Sequence, residues 1–196
     1  MASHWLAMRG VSPNTISIAG MIVGLLAGVC FAMTARVAEG ERVLWFAGAA
    51  CVQLRLLANM LDGMVAVESK RTSRLGELFN EIPDRVSDSA AFIGLGLAAN
   101  LSLGFSAALA AIFTAYVRTV GKVAGAHQEF CGPMAKPQRM FLVTVLAIFC
   151  TFAPQEWRSI SGVSVVNALL SVVIAGSLVT ALRRLGRIEQ ALRAKP

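Results

Sequence analysis

The 196-residue chain is predicted to fold as an all-α integral membrane bundle of six transmembrane helices, a single domain over 1–196. Three observations predict it. Mean hydropathy is +0.66. Only 15% of the residues are charged, against about 25% in an ordinary soluble domain. The charges are also clustered: residues 15–35, 89–117, 140–155 and 159–182 contain no Asp, Glu, Lys or Arg. A helix needs about 20 apolar residues to cross the hydrocarbon core, so these stretches read as spans.

Taken in order, residues 1–14 form an interfacial segment, with Trp5, Leu6 and Met8 suited to the headgroup level. The first span covers 15–35 and opens at Ser12-Pro13-Asn14, because proline near a helix start has no N–H to leave unpaired. It is too long for a signal-peptide core and no A-x-A site follows it. The second span, 43–67, contains Arg55, Asn59 and Asp62. Residues 89–117 are too many for one span, and Asn100-Leu101-Ser102-Leu103-Gly104 interrupts them. A third span therefore begins near Phe79, and a fourth covers 105–121. The fifth is 140–153, the sixth 163–182, and 184–196 is a basic tail.

Lysine and arginine placement sets the orientation. Lys70, Arg71 and Arg74 fall between spans two and three, and Lys122, Lys136 and Arg139 between four and five. Arg183, Arg184, Arg187, Arg193 and Lys195 follow the last span. The other side has only Arg36, Arg42 and Arg158, each near an acidic residue. Both termini are expected in the cytoplasm. The net charge of +7 thus belongs to membrane flanks touching anionic lipid, with no motif or aromatic platform for nucleic acid. Cys30, Cys51, Cys131 and Cys150 lack C-x-x-C spacing, which excludes a zinc site or disulfide framework. Gly20, Gly24 and Gly28 form a small-x3-small stripe suited to close helix packing or a homodimer contact.

Chemistry gathers between Asn59 and Asp88. Asn59, Asp62 and Ala66 share one helical face, as do Asn80, Asp84 and Asp88. Ionisable residues within spans are costly and mark functional sites. Oxygen ligands of this kind suit a hard cation, Mg²⁺ or Mn²⁺, better than zinc. Pairing the two helices in reverse order puts Asn59 level with Asp84 and Asp62 level with Asn80. Arg55 and Asp88 then lie about 6 Å deeper, at 1.5 Å per residue. This predicts a buried Arg55–Asp88 ion pair beneath the site; the alternative is an Arg55 that snorkels or meets backbone carbonyls.

The spacing resembles that of the CDP-alcohol phosphatidyltransferase family. Its pattern D-x2-D-G-x2-A-R-x8-G-x3-D-x3-D is met here by Asn59-x2-Asp62-Gly63-x2-Ala66-Val67-x8-Gly76-x3-Asn80-x3-Asp84, and the six-span layout extends the likeness over nearly the whole chain. The resemblance implies a metal-dependent enzyme of phospholipid synthesis, using Mg²⁺ or Mn²⁺ at the cytoplasmic face of a bacterial inner membrane. A phosphatidyl or other substituted-phosphate group would pass from a CDP-linked donor, CDP-diacylglycerol, to an alcohol acceptor with release of CMP. Asp84 takes the general-base and metal position. Asn59, Asp62 and Asn80 take the other ligand positions, with Asp88 as an added candidate. Gly63, Ala66 and Gly76 leave room for the nucleotide. Arg118, Lys136 and Arg139 match places where relatives bind phosphate, and their convergence would favour a phosphorylated acceptor.

This chain departs from the pattern where two aspartates are Asn59 and Asn80 and the arginine is Val67. Glu81 and Asp88 are the acidic residues near enough in sequence to compensate, and a shifted register would use Asp84 and Asp88 as the final pair. Two other readings stay open. One is a non-catalytic relative that binds CDP-lipid or a partner protein. The other is a small transporter, against which the charges gather at one end of the spans.

Overall fold

The structure is a computed structural model and describes residues 2–37, 39–68, 74–160 and 162–194. Lys70, Arg71 and Lys195, counted above for orientation, lie outside the described residues, as does the side chain of Arg74. The chain is helical nearly throughout: α1 Ala2–Met8, α2 Pro13–Met33, α3 Glu41–Glu68, α4 Arg74–Ala98, α5 Leu101–Val123, α6 Lys136–Phe152 and α7 Val165–Arg193. The exception joins α6 to α7. There a 3-10 turn, Gln155–Arg158, leads into a two-stranded hairpin, β1 Ser159–Ile160 against β2 Val163–Ser164, with Ser159 opposite Ser164.

Local sequence explains the helix ends. Ser12 caps α2, its Oγ accepting from Thr15 N at 3.1 Å, with Pro13 as the first helical residue. The break in the long apolar stretch falls at 99–100, sharper than expected. Asn100 caps α5 by accepting from Leu103 N at 3.1 Å, so α5 starts at Leu101 and not at 105. α7 starts two residues later than expected because Val163 and Ser164 pair in the hairpin, Ser164 then capping the helix. α7 also runs on to Arg193, eleven residues beyond the expected end of the span at 182.

Four helices, α2, α3, α5 and α7, are long and apolar enough to cross a membrane by length and composition. α4 carries several charged residues in its first half, and α6 has only 17 residues. α2 lies between α3 and α4, α4 packs on α5, α5 on α7, and α6 on α3.

The two ends of the bundle differ in chemistry. One is an apolar core of Phe31, Trp45, Phe92, Leu95, Val143 and Leu170, each at most 3% exposed. It is fastened at its outer edge by Glu41, which accepts from Trp45 Nε1 at 3.0 Å and Gln155 Nε2 at 2.7 Å and pairs with Arg158. The other end holds the buried charged side chains, and the first and last helices reach it: His4 of α1 meets Glu68 at 3.5 Å, and Ile188 of α7 packs where Gly121 of α5 leaves room.

The glycine stripe of α2 sets the spacing at that polar end. A Cβ at Gly20 would come within 2.8 Å of Ala58 and 2.9 Å of Arg55, one at Gly24 within 2.5 Å of Ser87, and one at Gly28 would strike the Ala90 carbonyl. The stripe therefore works within the chain, bringing α2 onto both helices that carry the motif. Gly94 of α4 faces Gly28 in the same seam, and a Cβ there would run into the Gly28 carbonyl. Gly94→Val is expected to cost about 1–3 kcal/mol through overpacking. Gly63→Ala should instead raise stability by about 0.4–1 kcal/mol, since position 63 lies inside α3 and a Cβ there meets nothing within 4 Å. Thermal midpoints in detergent measure both.

Candidate active site

Asp84 is the meeting point of three helices. Arg55 of α3 sends its guanidinium to Asp84 Oδ1 and to Asn59 Oδ1, and its Nε donates to Ser87 Oγ at 3.1 Å. Asn59 Nδ2 donates to the same Asp84 oxygen at 2.8 Å. Lys136, the first residue of α6, reaches that oxygen at 2.5 Å. Asn59 is thus level with Asp84, as the reverse pairing of the two helices requires.

Asp62 is 4% exposed and lies one turn nearer the end of α3. Its Oδ2 accepts from Ser17 Oγ of α2 at 2.6 Å, and its Oδ1 is buried with no hydrogen-bond partner among the described residues. The side chain of Asn80, the residue expected to face it, lies outside the described residues. Gly63 beside it is exposed, Ala66 and Gly76 are half-buried, and Val67, in the arginine position of the motif, is 76% exposed.

The expected Arg55–Asp88 ion pair is replaced by two others. Arg55 turns toward Asn59 and Asp84, one turn nearer the helix ends, in a space that Gly20 keeps open. Asp88, 2% exposed, meets Arg139 of α6, with Oδ2 and NH2 3.7 Å apart. Arg139 is itself 1% exposed, and its NH1 donates to Met134 O at 2.9 Å and Thr114 Oγ1 at 3.2 Å. The Asn59–Asp84 contact fits the expected register at that level, and α6 supplies a partner that pairing α3 and α4 alone does not reveal.

Beside Asp84 opens a cavity of about 420 Å³, lined by Glu81, Asp84, Arg85, Arg118, Lys136, Arg139 and Arg184 among others. Five cations face two carboxylates. Glu81 accepts from Arg118 at 2.5 Å and Arg85 at 3.0 Å, and the Arg118 guanidinium stands 5.0 Å from the Phe130 ring centroid. Among the described residues Arg85, Arg118 and Arg139 each keep a buried Nε without a hydrogen-bond partner. Such donors around a cavity suit an anion with several oxygens. Arg118, Lys136 and Arg139 therefore converge, as a phosphate site requires.

Arg184, the first residue of the expected basic tail, turns inward on α7. It is 5% exposed; its Nε donates to Cys131 O at 3.0 Å and its NH1 to Thr114 O at 2.8 Å. It thereby fixes the α5–α6 connection as one wall of the cavity, helped by Thr180, whose hydroxyl accepts from Met134 N at 3.0 Å. A helical stripe of Ser177, Thr180, Arg184 and Ile188, all buried, was the available sign that α7 continues past 182. Ser17 was likewise visible as the residue preceding the glycine stripe by one turn. The roles of Arg85 and Glu81 in the cavity had no sign beyond their nearness to the motif.

Among the described residues no three carboxylate, His or Cys side chains form a ready cation cage. Asp62 and Asp84 offer two carboxylates and a buried free oxygen. That fits Mg²⁺-type ions, which are held by one or two carboxylates and completed by substrate phosphates.

The sequence profile described as CDP-alcohol phosphatidyltransferase matches residues 10–182, spanning all of this geometry. The chain belongs to that family. As a CDP-alcohol phosphatidyltransferase it is a transferase with an all-α membrane fold. It is 28% identical to a phosphatidylinositol phosphate synthase of Streptomyces avermitilis, over 95% of this chain and 75% of that protein. It is 25% identical to the inner membrane protein YnbA of Escherichia coli, over 80% of this chain and 77% of that one. Its fold is similar to crystal structures of Mycobacterium tuberculosis phosphatidylinositol phosphate synthase. The form with CDP-DAG bound gives a TM-score of 0.76 at 22% identity, covering 100% of this chain and 93% of that one. The form with manganese and citrate gives 0.77, covering 97% and 88%.

Breaking one side of a buried charge pair costs about 3–5 kcal/mol. Asp88→Ala should lower the thermal midpoint accordingly. A double-mutant cycle with Arg139→Ala is expected to give a coupling of at least about 0.5 kcal/mol, whereas Asp88→Ala with Arg55→Ala should be near additive.

Proposed function

We propose that this transferase moves a phosphatidyl, or closely related substituted-phosphate, group from CDP-diacylglycerol to the hydroxyl of a phosphorylated alcohol. The acceptor oxygen bonds to the lipid-side phosphorus, the bond to the CMP phosphate breaks, and CMP leaves. The carrying observation is the position of Asp84, shared between the Asp62–Asn59 face and the cationic cavity. A group there can touch a nucleotide diphosphate on one side and an acceptor hydroxyl on the other.

The residues divide the work. Asp84 accepts the proton of the attacking hydroxyl. Asp62 and Asp84, with the amide of Asn80, would hold Mg²⁺ or Mn²⁺, which when bound neutralises charge on the pyrophosphate, while Asn59 links Arg55 to Asp84. Gly63 and Ala66 leave the face of α3 open to the nucleotide, consistent with the free space beside Gly63, and Gly76 does the same at the start of α4. Arg118, Lys136 and Arg85 bind the acceptor phosphate, while Arg139 and Arg184 hold the wall behind it. Asp88 serves to keep Arg139 in place. Lys136 is shared: an arriving phosphate draws its ammonium from Asp84 and frees that carboxylate oxygen for the acceptor hydroxyl.

The phosphorylated acceptor is supported by the excess of cations in the cavity and by relatives named phosphatidylinositol phosphate synthases. A six-span arrangement is supported by α4, whose Asp84, Ser87 and Asp88 are buried while Leu78, Ile82 and Val86 face outward. The basic residues around the site end support a cytoplasmic active face with both termini on that side. The name of the E. coli relative supports an inner-membrane location.

Purified chain supplied with CDP-diacylglycerol, Mg²⁺ or Mn²⁺ and a panel of free and phosphorylated polyols is expected to release CMP with a phosphorylated acceptor. Asp84→Asn should reduce the rate by about 10²–10⁴-fold. Arg118→Ala should raise the acceptor KM by roughly tenfold or more, as the loss of a charge-assisted hydrogen bond implies, with a smaller change in kcat. Folded protein releasing no CMP with any acceptor would overturn the reading.

A further inference from the structure

The family pattern puts four carboxylates at the positions of Asn59, Asp62, Asn80 and Asp84; here two remain. The structure shows what accompanies the loss. Arg55 is 4% exposed and spends all three guanidinium nitrogens inside the site, on Asn59, Asp84 and Ser87. Asn59 turns its oxygen to Arg55 and its amide N–H to Asp84. An aspartate at 59 could accept from Arg55 but would oppose Asp84, and a second cation between them would then be needed. An asparagine bridges the arginine and the carboxylate without one. Arg55 and Asn59 thus form a matched pair, one supplying charge and the other the neutral link.

Charge balance extends the point. Four carboxylates balance two dications. Asp62 and Asp84 carry two negative charges, opposed by the fixed guanidinium of Arg55 and, until a phosphate draws it away, by the ammonium of Lys136, a balance that leaves room for a single dication with a substrate pyrophosphate. The buried Asp62 Oδ1, without a partner among the described residues, marks where that ion has a ligand waiting, away from the Asp84 oxygen that Arg55, Asn59 and Lys136 occupy.

We infer that Arg55 takes the place of one of the two cations a four-carboxylate site would hold, so that this chain binds one divalent cation, on the Asp62 side of Asp84. The inference rests on the metal-dependent reading above. It assigns Arg55 as a built-in positive centre beside the reacting phosphate, and it explains Asn59 as the neutral partner that residue requires.

The test counts ions rather than turnover. Full-length protein in detergent is titrated with Mn²⁺, and bound ion is followed by electron paramagnetic resonance, which gives the number per chain and reveals magnetic coupling between neighbouring ions. The wild-type chain is expected to bind one Mn²⁺ with an uncoupled spectrum. The triple variant Arg55→Met, Asn59→Asp, Asn80→Asp is expected to bind two, with a coupled spectrum. Should that variant fail to fold by its thermal midpoint, Asn59→Asp alone decides, because with Arg55 retained the count should stay at one. Two coupled ions in the wild type or in Asn59→Asp, no saturable Mn²⁺ in the wild type, or a folded triple variant that still binds one would each overturn the inference. CMP release is scored separately: one ion bound with no transfer would sink the proposed reaction and leave the count standing, whereas two ions with full transfer would do the reverse.

Discussion

The Asp84 carboxylate is the constraint around which the polar end of this bundle is organised. It is 8% exposed and carries its charge among helices that elsewhere present mostly apolar surface. Isolated burial of a carboxylate is prohibitively costly, so its partners must be fixed. Arg55 and Asn59 come from α3 and Lys136 from α6. Those contacts require α3, α4 and α6 to close on one point, and α2 permits it only because glycines keep its face flat. Gly20 makes room for Arg55, and Gly24 makes room for Ser87, to which Arg55 also donates. Packing and chemistry here are one arrangement.

The same logic spreads outward. Asp88, one turn deeper on α4, needs a cation and finds Arg139; Arg139 is then oriented by the Met134 carbonyl and Thr114. Thr114 offers its carbonyl to Arg184, which holds the connection between α5 and α6 through Cys131. A chain of buried polar contacts therefore runs from the motif to the last helix. It ends as the wall of a cavity with more cations than anions. The apolar half of the bundle, from Phe31 to Leu170, supplies a rigid base for it and takes no part in the chemistry.

Much of this was legible in the sequence, for identifiable reasons. The spans followed from charge-free runs, because the hydrocarbon core sets a minimum helix length that composition alone reveals. The level pairing of Asn59 with Asp84 followed from helical rise, a local property. The partners of Arg55 and Asp88 did not follow, since Arg139 enters from a helix some 50 residues later and only tertiary packing brings it near. Arg184 was misplaced for a related reason: positive residues after an apolar run look alike whether they float over lipid or turn inward. Residue spacing separates the two, and Ser177, Thr180, Arg184 and Ile188 do continue one buried face. The break before α5 is narrower than its composition suggests, because Asn100 caps the helix directly and Gly104 already lies inside it.

The proposed reaction requires two neighbouring helices to present Asp62 and Asp84 to one shared cation and one nucleotide. The most direct measurement is anomalous diffraction from crystals of this chain grown with Mn²⁺ and CDP. The expected result is a manganese peak at coordination distance, about 2.0–2.2 Å, from carboxylate oxygens of both residues, with the diphosphate against Gly63. A peak bound elsewhere, or a nucleotide seated away from α3 and α4, would contradict it.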